Sequence, residues 1–210
     1  MKTLECRGIT LSDKQTKICV PITGTDLEEI KEQAEKIANM NPDVVEWRAD
    51  FYDVKDNDET EFEQCLKAIN DNLKNIPIIY TYRTSNEGGE KSIDVDDYCR
   101  LCKYVSEISE KYNVAMIDVE LYENKDRKDI GKLLLDIKST GVKVIGSNHH
   151  FEGTPSEKDI FNVVKTMEEA GADICKIAVM PKEKVDVKTL INASKKANKE
   201  LNAPIITMSM

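Results

Sequence analysis

Asp173-Ile174-Cys175-Lys176-Ile177-Ala178-Val179-Met180 is an almost unbroken apolar run with a single lysine near its centre. Apolar residues on both faces predict a strand buried in a parallel sheet that helices cover. A lysine inside such a strand must reach water, pair with an anion, or give up its proton. Desolvation lowers a lysine pKa, and a neutral amine is a nucleophile able to form a Schiff base with a carbonyl. The commoner outcome for a lone strand lysine is that its stem lies on apolar surface while the ammonium reaches solvent at the strand end. What the other strands aim at the same place decides between these outcomes.

Outward from that strand, a strand-then-helix unit recurs about every 30 residues from Lys17 onward, the length of a βα repeat. The first strand is Ile18-Cys19-Val20-Pro21-Ile22, and its helix opens at Thr25 with Glu28 in capping-box spacing. Leu27, Ile30, Ala34 and Ile37 form its apolar face. The second strand is Val44-Val45-Glu46-Trp47-Arg48, followed by a helix carrying Phe62, Cys65, Leu66 and Ile69. The third, Pro77 to Arg83, opens on a proline, which a first strand position tolerates, and a helix is expected over 95–112. The fourth runs from Val114 to Leu121 before a helix near 128–139, and the fifth from Val142 to His149 before a helix bearing Ile160, Val163, Val164 and Met167. The lysine strand is sixth, with its helix near 186–199, and Pro204 to Met210 is the seventh. Residues 1–16 are polar and could form a short hairpin with Thr10-Leu11-Ser12-Asp13 near its turn.

Strands alternating with helices through short connections pair in parallel with right-handed crossovers. Seven such units point to an α/β (β/α)8 barrel more than to an open doubly wound sheet. No Gly-x-Gly-x-x-Gly follows the first strand, which weakens a dinucleotide-binding reading. No internal boundary is visible, so 1–210 reads as one barrel domain, with strands one to seven within 17–210 and the eighth unit missing from this chain.

A net charge of −9 and a pI near 4.9 argue against a nucleic-acid or membrane-surface partner, which would require a basic face. An acidic protein that takes a small anion must hold it with locally placed arginines. The stretch from Met1 to Arg7 has no apolar run like a signal peptide, and no segment approaches transmembrane length, so cytoplasmic residence is the default expectation. The six cysteines are then expected to be reduced. Cys99-Arg100-Leu101-Cys102 has CxxC spacing but no second pair or histidine cluster to complete a zinc site, and it lies in a helical pattern that favours packing.

Residues two apart on a strand share a face. If Lys176 faces the barrel interior, so do Glu46 and Arg48, Thr81 and Arg83, Asp118 and Glu120, Ser147 and His149, and Met208 and Met210. These polar groups fall toward the C-terminal halves of their strands, where barrel enzymes keep their active sites. One charged strand residue is usually a solvated end; five consecutive strands sending polar groups to one mouth are hard to explain as packing, although a structural salt-bridge plug is the weaker alternative. Arg48 and Arg83 near Lys176 would keep the amine neutral by like-charge repulsion, together with partial burial, and so able to attack a ketone. His149, expected to titrate near neutrality, could move a proton on carbon or oxygen. The arginines and Glu46 suit a polyhydroxylated or carboxylated substrate. The loop Glu87-Gly88-Gly89-Glu90 can approach a ligand, and its Glu87 could orient the histidine.

Glu46-Trp47-Arg48, Tyr82-Arg83 with Glu87-Gly88-Gly89-Glu90, Ile117-Asp118-Val119-Glu120-Leu121, Ser147-Asn148-His149, Lys176-Ile177-Ala178 and Thr207-Met208-Ser209-Met210 resemble type I 3-dehydroquinate dehydratase in order and spacing. The resemblance covers essentially the whole chain. It implies a TIM barrel that dehydrates 3-dehydroquinate to 3-dehydroshikimate in the shikimate pathway without metal or cofactor, with a homodimer expected. It makes Lys176 the Schiff-base residue and His149 the group that removes a proton from the adjacent carbon and later helps the hydroxyl leave. Glu87 supports the histidine, and Glu46, Arg48, Arg83 and Met208 are the expected substrate-binding residues.

Two departures bear on this reading. The family usually has His-Asp-Phe where this chain has His149-His150-Phe151; alternation keeps His149 on the interior face with Ser147 and makes His150 a neighbour or surface residue. The family also continues past Met-Ser-Met into a Ser-Arg motif, an eighth strand and a glycine-rich segment that grip the substrate carboxylate, whereas this sequence stops at Met210. Either the chain is a fragment of a longer protein, or it is a shortened one whose barrel, open between strands one and seven, should lose stability and substrate affinity. Two other functions compete: an aldolase-like barrel using the same lysine on another oxo-acid, and a catalytically silent chain that binds a partner or dimerises through an open edge.

Overall fold

A computed structural model describes the protein at residues 2–12, 14–53, 58–122, 124 and 127–210. Seven strands form one parallel sheet in sequence order: β3 (Cys19–Ile22), β4 (Val44–Arg48), β5 (Ile78–Thr81), β6 (Val114–Glu120), β7 (Lys143–His150), β8 (Ile174–Val179) and β9 (Ile205–Ser209). Between them lie α1 (Leu27–Ala38), α2 (Glu59–Asn72), α3 (Val95–Glu107), α4 (Lys128–Ser139), α5 (Glu157–Glu169) and α6 (Lys184–Glu200). Among the described residues β3 and β9 each pair on one side only. Both nevertheless line one cavity of about 520 Å³, through Cys19 and Pro21 on one side and Ile206 and Met208 on the other. The sheet is therefore curled so that its two edges face each other.

Alternation along the strands sets both faces. Val45 and Trp47 point outward and are fully buried under the helices, where Trp47 packs its ring 5.7 Å from Phe62 and 5.6 Å from Tyr80. The apolar faces expected of α2 and α5 are the buried ones: Phe62, Cys65, Leu66 and Ile69, and Ile160, Val163, Val164 and Met167. Inside the curl the residues near the strand starts are apolar, and Val44, Met116, Ile145 and Ile174 cluster with Cys6 and Ile9.

Three local expectations need correction. The helix after the first strand is capped one residue later than Thr25 and Glu28 suggested: Asp26 accepts from Glu29 N–H at 2.9 Å, and Glu29 reaches back to Thr25 N–H at 2.8 Å. A carboxylate cap supplies charge as well as an acceptor to the helix N-terminus, so Asp26 is favoured over the hydroxyl. The expected hairpin exists, as β1 (Thr3–Cys6) against β2 (Ile9–Ser12), but it turns at Arg7-Gly8 rather than at 10–13. Both turn residues have positive φ, 39° and 81°, as a two-residue hairpin turn with the strand twist requires. Arg7 then donates to Val114 O and Ser109 Oγ, at 2.8 and 3.0 Å, fastening the hairpin across the N-terminal end of the curl. The helix expected over 95–112 ends at Glu107.

Candidate active site

Strand register brings the inward polar residues into rows. Glu120, Ser147 and Lys176 are neighbours across β6, β7 and β8, one row above Asp118 and Ile145. Lys176 Nζ donates to Asp118 Oδ2 at 3.1 Å and lies 3.6 Å from Glu46 Oε1. Glu46 is itself held by Thr81 Oγ1 at 2.8 Å. Burial pulls the Lys176 pKa down, but the carboxylates of Asp118 and Glu46 outweigh burial and the nearby Arg83, so the pKa is raised above the ordinary lysine value. The expectation that arginines keep this amine neutral is thus overturned. Arg48 is paired with Asp50, Arg83 shares Asp118 with the lysine, and the groups closest to Lys176 are anions.

Arg83 is 4% exposed and forms the centre of the cluster. Its Nη2 lies 2.8 Å from Asp118 Oδ1, and its Nη1 donates to Glu120 Oε1 at 3.2 Å and to Ser147 Oγ at 2.9 Å. Ser147 in turn donates a hydrogen bond from its hydroxyl to Asp118 Oδ1. Burial works against the Asp118 carboxylate, yet Arg83 and Lys176 hold its pKa well below the usual range. Glu120 goes the other way: burial raises it, and Glu87 adds to that against the pull of Arg83. Arg48 turns to Asp50, which takes its Nε and Nη2 at 2.8 and 2.7 Å.

His149 Nδ1 is 2.9 Å from Glu87 Oε2, and Asn148 donates to Glu87 Oε1 at 3.2 Å. Burial first, and then Arg83 and Lys176, push the His149 pKa down to about 4, so it does not titrate near neutrality as expected. At neutral pH the contact with Glu87 is a hydrogen bond from a neutral ring rather than an ion pair. With Nδ1–H directed at the carboxylate, Nε2 keeps its lone pair and can accept a proton. Phe151 stacks on the imidazole at 6.4 Å between centroids.

The loop carrying Glu87 needs its glycines. Gly88 has φ +82°, and a Cβ there would fall 2.2 Å from Phe151 Cζ. A Cβ on Gly89 would fall 1.9 Å from the Arg83 carbonyl oxygen. Met208 is 46% exposed and lines the cavity with Lys176 and Glu46. His150 is half-buried beside His149, and Cys99 and Cys102 lie on α3. Among the described residues no group of three or more His, Cys, Asp or Glu side chains could hold a metal ion, and no helix is long and apolar enough to cross a membrane.

The sequence assigned no role to Asp50 or Thr84, nor to Asn148 and Phe151, which it placed within quoted motifs. Thr84 holds Glu120 through its N–H and hydroxyl, both at 2.7 Å. The available signal was local: Asp50 follows Arg48 by two residues, and Asn148 sits between the two inward residues of β7.

The same arrangement of strands occurs in solved structures of known enzymes. A type I 3-dehydroquinate dehydratase from Clostridium difficile, solved with covalently modified comenic acid, superposes with a TM-score of 0.93 at 36% identity, covering 100% of this chain and 81% of that one. The 3-dehydroquinate dehydratase of Geobacillus kaustophilus gives 0.92 at 30% identity, covering 100% and 79%. In sequence, the 3-dehydroquinate dehydratase of Bacillus licheniformis is 41% identical over 211 residues, covering 100% of this chain and 80% of its own. That of Listeria monocytogenes serotype 4a (strain HCC23) is 38% identical, covering 100% and 81%. The family model described as Type I 3-dehydroquinase matches residues 18–210, every strand of the sheet included. With fold, sequence and the inward polar rows in agreement, the chain belongs to the type I 3-dehydroquinase family.

Proposed function

We propose that the protein is a lyase that dehydrates 3-dehydroquinate to 3-dehydroshikimate in the shikimate pathway, through a Schiff base on Lys176. The observation that carries the residue assignment is the pairing of one partly buried lysine with a neutral, carboxylate-oriented histidine at the same mouth. The Lys176 ammonium sheds its proton to a base at the mouth, and the amine adds to the substrate ketone. The carbonyl oxygen takes one proton from the amine nitrogen and the one held by that base and leaves as water, giving an iminium. Asp118 and Glu46, which favour a positive charge on this nitrogen, then stabilise the iminium as they stabilised the ammonium. That charge draws electrons from the adjacent carbon, whose proton passes to His149 Nε2. The resulting enamine expels the β-hydroxyl, which takes the proton from His149 and departs as water. Hydrolysis of the remaining iminium frees the product and the amine, so the net change is loss of one water. Glu87 keeps the imidazole in the tautomer this requires, while Glu46, Arg48, Arg83 and Met208 contact the substrate.

Borohydride reduction during incubation with 3-dehydroquinate tests this assignment. One substrate-derived adduct is expected at Lys176, found by intact mass and peptide mapping. A label on another lysine with Lys176 unmodified would overturn it. His149→Ala should abolish proton abstraction yet still allow trapping, and His150→Ala should be mild. Reversed phenotypes would shift the register of β7 by one residue.

The gap between β3 and β9 is, in this reading, the place of an eighth strand that closes the barrel. Its support is the exposure of inward-facing Ile206 and Met208, which a closed barrel would bury. Among the described residues Arg48 and Arg83 are both held by carboxylates, and in this reading such a segment would add a further partner for a substrate carboxylate. One lost charge-assisted hydrogen bond to a buried anion costs roughly 2–5 kcal/mol. Adding a C-terminal segment from a relative should therefore raise melting temperature and ligand affinity together. Equal values with and without it would mean that the 210 residues close their own site.

A further inference from the structure

Asp50 is a carboxylate with no exposed surface, placed just past the end of β4. It accepts four hydrogen bonds from three separate segments: Arg48 Nε and Nη2 at 2.8 and 2.7 Å, and the backbone N–H groups of Arg83 and Glu90, each at 3.2 Å. Arg83 and Glu90 bracket the loop that carries Glu87. A buried carboxylate must be matched by donors, and here the donors are the substrate-facing arginine and both ends of the loop that orients the base. We propose that Asp50 is a positioning residue that locks Arg48 and the Glu87 loop into one unit, so that substrate contact and histidine orientation are set together. The inference rests on the reading above, in which Arg48 meets the substrate and Glu87 serves His149.

The geometry explains how one residue does both. Bidentate pairing fixes the plane of the guanidinium, already set over the Phe51 ring at 4.9 Å, and leaves Nη1 as the donor edge for a ligand. On the other side, Thr84 O accepts from Gly89 N–H at 2.8 Å, and Ser85 N–H donates to Lys91 O at 2.9 Å, so the loop is folded back on itself. Asp50 joins that closed loop to β4. Gly89 permits the approach, since any Cβ would strike the Arg83 carbonyl and push Glu90 away from Asp50.

Asp50→Asn and Gly89→Ala separate the two arms. An amide at residue 50 keeps the shape but turns an NH2 toward one of the donors. It should raise KM about tenfold, the size of one charge-assisted hydrogen bond, and lower kcat. It should also move the His149 titration, read by NMR, upward from about 4 as water enters beside the loosened loop. Gly89→Ala leaves Arg48 paired, so it should lower kcat and shift the histidine in the same direction with KM close to the unaltered protein. A folded Asp50→Asn protein with unchanged KM and an unchanged histidine titration would overturn the proposal. If Asp50→Asn does not fold, amide exchange decides: Arg83 and Glu90 N–H should exchange slowly in the unaltered protein and Glu90 fast in Gly89→Ala, and fast exchange at both from the start refutes the lock. Titration and exchange need no turnover. Failure of borohydride trapping in the unaltered protein would instead count against the function itself.

Discussion

The two ends of the curled sheet are built from the same strands and hold together by opposite means. Along the inward face Val44 gives way to Glu46, Ile79 to Thr81, Met116 to Asp118, Ile145 to Ser147, and Ile174 to Lys176. The N-terminal end is an apolar cluster capped by the β1–β2 hairpin. The C-terminal end is a set of charges around Arg83 in which almost every group depends on another. Apolar packing is non-directional and degrades gradually when atoms are removed. A buried ion cluster is directional, and removing one member strands the rest. Chemistry therefore sits at the end where a substitution carries the larger penalty.

The sharpest way to break this contrast is Arg83→Met, which keeps the bulk and removes the cation shared by Asp118 and Glu120. Urea unfolding at neutral pH should show a loss of about 3–5 kcal/mol, because two buried carboxylates lose their common partner. A loss below about 1 kcal/mol would mean that the carboxylates take up protons or water and that the cluster is softer than its geometry implies. At the other end, Ile9→Ala should cost about 2–4 kcal/mol through lost burial and a residual cavity. The histidine titration should not move. If it does, the two ends are coupled through the strands and the contrast fails.

The smallest of these effects is a pH dependence carried by His149. Its folded pKa of about 4 lies below the ordinary value of 6.5. Between those values the unfolded chain binds a proton that the folded one does not. The stability contribution is therefore complete above pH 6.5, declines as pH falls toward 4, and is level below that. A change of about 1–3 kcal/mol over this window is expected, and His149→Gln should remove that part of the slope. Lys176 acts at the opposite flank: its raised pKa means that its contribution is full below 10.5 and is lost as pH rises through the folded value. An unchanged slope in His149→Gln would assign the acid flank to the carboxylates instead.

Much of this protein was legible in its sequence because the information was local. The period of two along each strand put Glu46, Asp118, Ser147 and Lys176 on one face, and apolar spacing marked the buried sides of α2 and α5. The order of motifs identified the family. Two local readings failed for local reasons: the Asp26 carboxylate outcompeted Thr25 as a cap, and the Arg7-Gly8 pair supplied the positive φ angles that the hairpin needed. What tertiary structure alone decided was which charge meets which. Arg48 and Arg83 were expected beside Lys176 as a source of repulsion, but Arg48 pairs with Asp50, and Asp118, 58 positions away in the chain, comes closest to the lysine. The ionisation of His149 depended likewise on burial and on cations from other strands. A pKa records the summed field of groups brought together by folding, and alternation along a single strand fixes a side chain's face without fixing its partner.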